Sequence, residues 1–289
     1  MKKVLLYITL ILLALIFISV IGMVNSVIHV HLPHGAKMHI LPALGLNRNN
    51  AAVILCPGGG YHHITLWDEG YMWFPYFFKR GYTVALLEYR MPGFDPQSPL
   101  TDGAEAIRMM RRHAEEWHFD AHNVGVMGFS AGGHLASSLM VTDNDTIRPN
   151  FGILFYPVIS MKKELTHDGS HYRLLGDNAP RSLELKYSNE LHVSRKTPPA
   201  FIAVSSDDKT VNPENAIRFH DAMRVKRRPV TLHVYSSGGH GWGYRESFKH
   251  RSQMLDDLSE WLSYRKSHNN DNKDKEDVIY GRKGKKRVD

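Results

Sequence analysis

An α/β fold with a mostly parallel central sheet, helices on both faces and a small cap insertion is what this 289-residue sequence predicts. Three observations predict it. Short apolar runs alternate with segments of helical spacing from residue 51 onward, the pattern of strands linked by crossover helices. A glycine-flanked serine stands where one such run meets one helical segment. A single stretch, 161–198, breaks the rhythm.

The elements follow in order. The unbroken apolar run 51–56 reads as a buried strand, stopped by Pro57 and three glycines. Residues 69–80 read as a helix kinked by Pro75. A strand is expected over 82–89. A helix follows over 101–117, with Ala104, Ile107, Met110 and Ala114 at helical spacing. Then come strand 123–129, helix 131–141, strand 151–159, strand 200–205, helix 212–225, strand 230–236 and a closing helix over 247–265. The stretch 161–198 holds Tyr172, Leu174, Leu175 and Tyr187 but no clear strand. An insertion of this kind sits over the carboxyl edge of a parallel sheet, where ligands bind.

Composition narrows the class. With 43% hydrophobic and 22% charged residues the chain is neither disordered, collagen-like nor a multi-span membrane protein. The single cysteine, Cys56, excludes an intramolecular disulfide and a cysteine-built zinc site. The net charge of +7 is concentrated at the ends. Lys2 and Lys3 supply two, and residues 266–289, eight basic against five acidic, supply three, leaving two for the body. That is not the basic stripe of a nucleic-acid binder, and no nucleic-acid partner is expected.

Lys2 and Lys3 precede an apolar run over 4–24. This predicts export, either with cleavage near Ser26 or with the run kept as a membrane anchor. The expected organisation is a signal peptide or N-terminal anchor (1–26), a catalytic domain (27–266) with its cap at 161–198, and a charged, disordered tail (267–289).

Gly128-Phe129-Ser130-Ala131-Gly132 lies at a strand-to-helix joint, the setting of a nucleophile elbow, with Ser130 as nucleophile. A serine that attacks a carbonyl needs two backbone N–H groups for the resulting oxyanion. Ala131, after the nucleophile, is one donor. Gly59 or Gly60, in the loop after the first strand, supplies the other. The serine also needs a base. In folds with this elbow, acid and histidine follow the serine in that order, the histidine after the last strand. His240, in Ser237-Gly238-Gly239-His240-Gly241-Trp242-Gly243, holds that place. The acid comes from Asp207-Asp208, after strand 200–205. Asp208 is preferred because it stands just before the turn into the next helix. Tyr61 and Trp242 are expected to line the substrate pocket, and Trp67 with the aromatic residues of 161–198 to complete its wall. His167 and His171, in the cap, are further candidates for substrate contact. Asp102 reads as a capping or loop-fixing group. His29, His31 and His34 have metal-like spacing but no carboxylate or cysteine among them, so neither a metal nor a cofactor is expected.

Taken in order, several segments resemble the acetyl xylan esterase and feruloyl esterase-like group of the α/β-hydrolases. They are Cys56-Pro57-Gly58-Gly59-Gly60-Tyr61, Leu87-Glu88-Tyr89-Arg90, Gly128 to Ala136, Phe155 to Ser160, Thr197 to Phe201, Asp207-Asp208 and Gly238 to Gly243. The resemblance covers about residues 50–265. It implies an α/β-hydrolase fold, a Ser130–Asp208–His240 triad and a small-molecule or polysaccharide ester as substrate, with an O-acetyl group on a sugar as the expected bond. The chain departs from the hormone-sensitive-lipase branch, whose loop opens His-Gly where Cys56-Pro57 stands here. Alternatives sharing the elbow are a serine peptidase of the prolyl-oligopeptidase type, for whose propeller this chain has no room, and a short-chain lipase or thioesterase. An inactive binding protein would not need the full set of reactive residues.

Overall fold

The structure, a computed structural model, describes residues 26–44 and 49–281, with side chains as far as Ser267. The sheet contains β1 (Ile28–His31), β2 (Lys37–Leu41), β3 (Ala52–Cys56), β4 (Thr83–Glu88), β5 (Val124–Phe129), β6 (Phe151–Phe155), β7 (Ala200–Ser205) and β8 (Val230–Tyr235). Their spatial order is β1-β2-β4-β3-β5-β6-β7-β8. From β4 to β8 all neighbours are parallel. The α/β fold expected from the alternation is therefore present. β1 and β2, which the alternation did not suggest, add an antiparallel edge through β4.

The central strands β3, β5, β6 and β7 are buried at every residue. A parallel strand covered by helices on both faces must be apolar on both, which is why these segments are unbroken hydrophobic runs. At the carboxyl ends of β5 and β6 the ring of Trp73 packs 5.8 Å from Phe129 and 5.3 Å from Phe155, centroid to centroid. Phe129 and Phe155 are the residues that immediately precede Ser130 and Tyr156 in the chain.

The helices in this part of the chain are α1 (Phe74–Phe78), α2 (Gln97–Arg112), α3 (Ser130–Met140), α4 (Asp168–Leu175), α5 (Arg181–Lys186) and α6 (Glu214–Val225). Two differ from expectation. The helix expected over 69–80 is a 3-10 turn, Tyr71–Trp73, followed by α1. Pro75 lies in the first turn of α1, where a missing N–H costs nothing, so it opens the helix instead of kinking it. The helix expected over 101–117 begins at Gln97 and ends at Arg112. Trp117 then lies in the following turn with His113 stacked on its ring at 4.7 Å. Within 161–198 the chain forms α4, α5 and a short 3-10 turn, Asn189–Leu191.

The chain divides into two compact units between Tyr244 and Arg245. β8, the last strand of the sheet, ends at Tyr235, before this division. The second unit contains α7 (Arg251–Gly281). Met254, Leu258 and Leu262, spaced by one turn each, are its buried apolar residues among the described side chains. The tail expected to be disordered from 267 is helical as far as Gly281, and neither glycine nor proline interrupts 251–280 to stop it. The run 4–24 on which export was read lies outside the described residues. Among the described residues no helix is long and apolar enough to cross a membrane.

Candidate active site

β5 passes into α3 with no intervening loop, and Ser130 is the joint. Phe129 is extended, and Ser130 takes φ 50°, a left-handed conformation that a side chain rarely adopts. The flanking glycines are sterically required. A Cβ on Gly128 would lie 2.4 Å from the Gly132 oxygen, and one on Gly132 would lie 2.0 Å from the Cys56 oxygen. The turn is pressed against the end of β3, so the elbow and the loop that follows β3 share one contact.

The sheet brings Ser130, His240 and Asp208 together. His240 Nε2 is 2.8 Å from Ser130 Oγ, and His240 Nδ1 is 2.7 Å from Asp208 Oδ2. Asp208 is buried, and its Oδ1 accepts from the N–H groups of Thr210 (2.9 Å) and Val211 (3.0 Å). A carboxylate accepting at Nδ1 places the imidazole proton there and leaves the Nε2 lone pair for the serine hydroxyl. Asp207 faces elsewhere. Its carboxylate accepts from Gly239 N–H (2.8 Å) and Gly238 N–H (3.3 Å), and these bonds hold its pKa below the usual range. It ties down the loop that carries His240.

The glycine loop after β3 has one N–H already committed. Gly58 N–H donates to Glu69 Oε2 at 2.7 Å. Gly59 and Gly60 have φ 125° and 62°, and the Gly59 oxygen accepts from His62 and His63 N–H. The N–H groups of Gly59, Gly60 and Ala131 have no acceptor among the described residues. Ala131 lies in the first turn of α3, where N–H groups have no partner within the helix and the helix dipole adds positive potential. All three expected donors are thus unoccupied, and Gly58 is excluded.

Glu69 was not legible as a site residue. Its other oxygen, Oε1, accepts from Tyr156 O–H at 2.8 Å, and the Tyr156 oxygen accepts from Gly243 N–H at 2.8 Å. The Tyr156 ring packs edge-on against His240, centroids 4.8 Å apart. One buried carboxylate therefore joins the glycine loop to the histidine loop. Tyr89 O–H adds a bond to the Pro57 oxygen at 2.7 Å.

Tyr61 and Trp242, expected at the pocket wall, are instead turned inward, only 2% and 3% exposed. Tyr61 O–H is 2.9 Å from His134 Nδ1, and Trp242 Nε1–H donates to Ser205 Oγ at 3.1 Å. Rings beside a glycine loop anchor it by burial, and these two do so. Exposed aromatic side chains include Trp67 (67%), Tyr172 (43%) and Phe94 (56%), with Phe94 edge-on to Tyr172 at 5.3 Å. Phe94 lies outside 161–198 and carries no local signal.

The remaining candidates also find places. His171 is buried and its Nε2 lies 3.2 Å from Glu184 Oε1. His167 caps α4 and is half-buried. His134 is buried between Tyr61 and the Tyr187 carbonyl, and burial pushes its pKa down to about 4. Asp102 binds the Arg90 guanidinium and main-chain N–H, fixing the turn after β4. His29 pairs with His39, and His39 with Glu88. No group of three metal-ligating side chains gathers among the described residues.

Comparison with known proteins finds relatives of the chain. The family model described as BD-FAE matches residues 40–223. An acetylxylan esterase of Xylanibacter ruminicola is 37% identical over 236 residues, covering 80% of this chain and 49% of that protein. Endo-1,4-beta-xylanase B of Butyrivibrio fibrisolvens is 35% identical over 205 residues, covering 65% of this chain and 32% of that protein. The chain thus spans half or less of the length of these relatives. Among solved structures, an acetyl ester-xyloside bifunctional hydrolase from Caldicellulosiruptor lactoaceticus superposes with a TM-score of 0.73 at 32% identity, covering 81% of this chain and 89% of that one.

Proposed function

Because the chain belongs to the BD-FAE family, we propose that it is a serine esterase that removes short acyl groups, above all O-acetyl groups on xylan-type polysaccharides or oligosaccharides. The relatives named for acetylxylan and acetyl ester-xyloside hydrolysis support that substrate class. The observation that carries the reading is the unbroken relay from Ser130 Oγ through His240 to the buried Asp208.

In this scheme Ser130 Oγ attacks the ester carbonyl as His240 Nε2 takes its proton. The N–H of Ala131 and that of Gly59 or Gly60 hold the oxyanion. Collapse breaks the bond to the sugar oxygen, which leaves with the proton from His240. Water then repeats the cycle on the acetyl-Ser130 ester and releases acetate. Asp208 fixes the tautomer and balances the imidazolium. The proposal includes export, supported by the apolar run 4–24 behind Lys2 and Lys3.

The test is a substrate panel on the purified protein and its Ser130→Ala variant. Acetylated xylan and p-nitrophenyl acetate are expected to be hydrolysed, with kcat/KM falling from acetyl to butyryl to octanoyl esters. Ser130→Ala is expected to fold and to be inactive. Faster turnover of octanoyl than acetyl esters would make the protein a lipase, and a fully active Ser130→Ala would remove the nucleophile.

A further inference from the structure

His167 stands at the N-terminus of α4, and its ring caps that helix. Nδ1 accepts from the Ser170 main-chain N–H at 3.3 Å, a bond shared with the His167 carbonyl, and lies 2.9 Å from Ser170 Oγ. A main-chain N–H can only donate, so Nδ1 presents a lone pair there and the neutral ring carries its proton on Nε2. Burial, and after it the nearby His240, lower the pKa of His167, which favours the neutral ring. Nε2–H has no acceptor among the described residues.

The ring faces the glycine loop. A methyl group placed on Gly60 would lie 3.7 Å from His167 Cε1, the ring carbon between Nδ1 and Nε2, and 4.0 Å from Arg173 Nη1. Arg173 sits six residues further along, in α4, held by its bond to the Gly169 oxygen at 3.0 Å. Two side chains of the cap therefore lie close to Gly60, one of the two glycines proposed for the second oxyanion N–H. The neighbouring Tyr172, edge-on to Phe94, leaves exposed ring surface beside Arg173. An acetyl methyl has nothing to offer such donors. A sugar presents an acceptor oxygen at nearly every carbon and an apolar C–H face.

We propose that His167 Nε2–H, with Arg173, binds oxygen atoms of the sugar that forms the alcohol half of the ester, making α4 the element that selects the leaving group. This rests on the carbohydrate-esterase reading. It assigns His167 a role that His171, consumed by Glu184, does not share.

The test compares kcat/KM for acetylated xylo-oligosaccharides with that for p-nitrophenyl acetate, whose leaving group has no hydroxyls. His167→Phe keeps a planar ring and removes the donor. His167→Asn retains a side-chain acceptor for Ser170 N–H, and so the cap, but its amide is too short to reach the glycine loop. In both variants the ratio of oligosaccharide to nitrophenyl kcat/KM is expected to fall about two- to twelvefold, the worth of the one hydrogen bond removed, chiefly through KM. An unchanged ratio in the folded His167→Asn protein would overturn the assignment, even if both rates fell. The wild-type protein reports separately on the underlying reading. If it hydrolysed nitrophenyl acetate but no acetylated oligosaccharide, the carbohydrate substrate itself would fail.

Discussion

Replacing Glu69 tests whether the two reactive loops are held by one buried group. Both of its oxygens are acceptors, one for Gly58 N–H and one for Tyr156 O–H. In Glu69→Gln the amide offers one oxygen and one NH2. If NH2 faced Gly58 two donors would meet, so the oxygen must turn to Gly58 and NH2 to Tyr156. The Tyr156 oxygen, already accepting from Gly243 N–H, can take a second bond, but its own proton then loses the Glu69 oxygen it donates to. One stranded buried donor costs about 1–3 kcal/mol. Glu69→Ala strands both and should cost about 2–6 kcal/mol on the same scale. Activity should suffer further. A Gly58 freed from its anchor lets Gly59 and Gly60 drift, and loss of one oxyanion donor costs about 10²–10³ in kcat. The assay is urea unfolding beside kcat and KM on p-nitrophenyl acetate. Glu69→Gln should show the smaller loss in both measurements, and KM should change less than kcat. An alanine variant as stable as wild type, within about 0.5 kcal/mol, with unchanged kcat would refute the argument.

Two further outcomes follow from the same geometry. Asp208→Asn should lower kcat by about 10³–10⁴ by spoiling the imidazole tautomer, whereas Asp207→Asn, which retains one acceptor for the Gly239 N–H, should lose far less; the opposite ranking in steady-state kinetics would move the acid to Asp207. His134 has its pKa depressed to about 4 by burial, so between its ordinary 6.5 and that value the unfolded chain binds the extra proton. Stability is then greatest above that window and falls by about 3 kcal/mol as pH drops through it. His134→Gln, whose amide can accept from Tyr61 and donate to Tyr187, should flatten the slope; equal slopes in urea titrations from pH 7 down to 4 would exclude His134 as its source.

The central fold was legible because it is written locally. Segments such as 51–56 and 200–205 are continuous apolar runs, and a strand covered on both faces needs no partner to be recognised. Ser130, His240 and the glycine loop stand at strand ends, so element order was enough to align them. β1 and β2 were hidden because histidines alternate with apolar residues there, His29 with His31 and His39 within Lys37–Leu41, and so dilute the hydrophobic signal. The Glu69 network was invisible for another reason. Its partners are 11 and 87 residues away, and no spacing along the chain encodes them. The aromatic residues show a third limit. Proximity to a glycine loop does not reveal which way a ring turns; Tyr61, with φ 58°, is carried inward while Phe94, with φ 68°, remains outside.

Cys56 closes β3, between β4 and β5 in the middle of the sheet, with no exposed surface and its thiol pushed up to about 12 by burial. Only a thiolate reacts with alkylating reagents, and only when they can reach it. In the folded chain both conditions fail. Because this is the sole sulfhydryl of the sequence, any label it acquires marks one event, the departure of β3 from its neighbours. The molecule therefore carries its own timekeeper at the root of the glycine loop. The rate at which Cys56 is modified under native conditions counts sheet openings, and its dependence on denaturant distinguishes a local breath at that strand from unfolding of the whole unit.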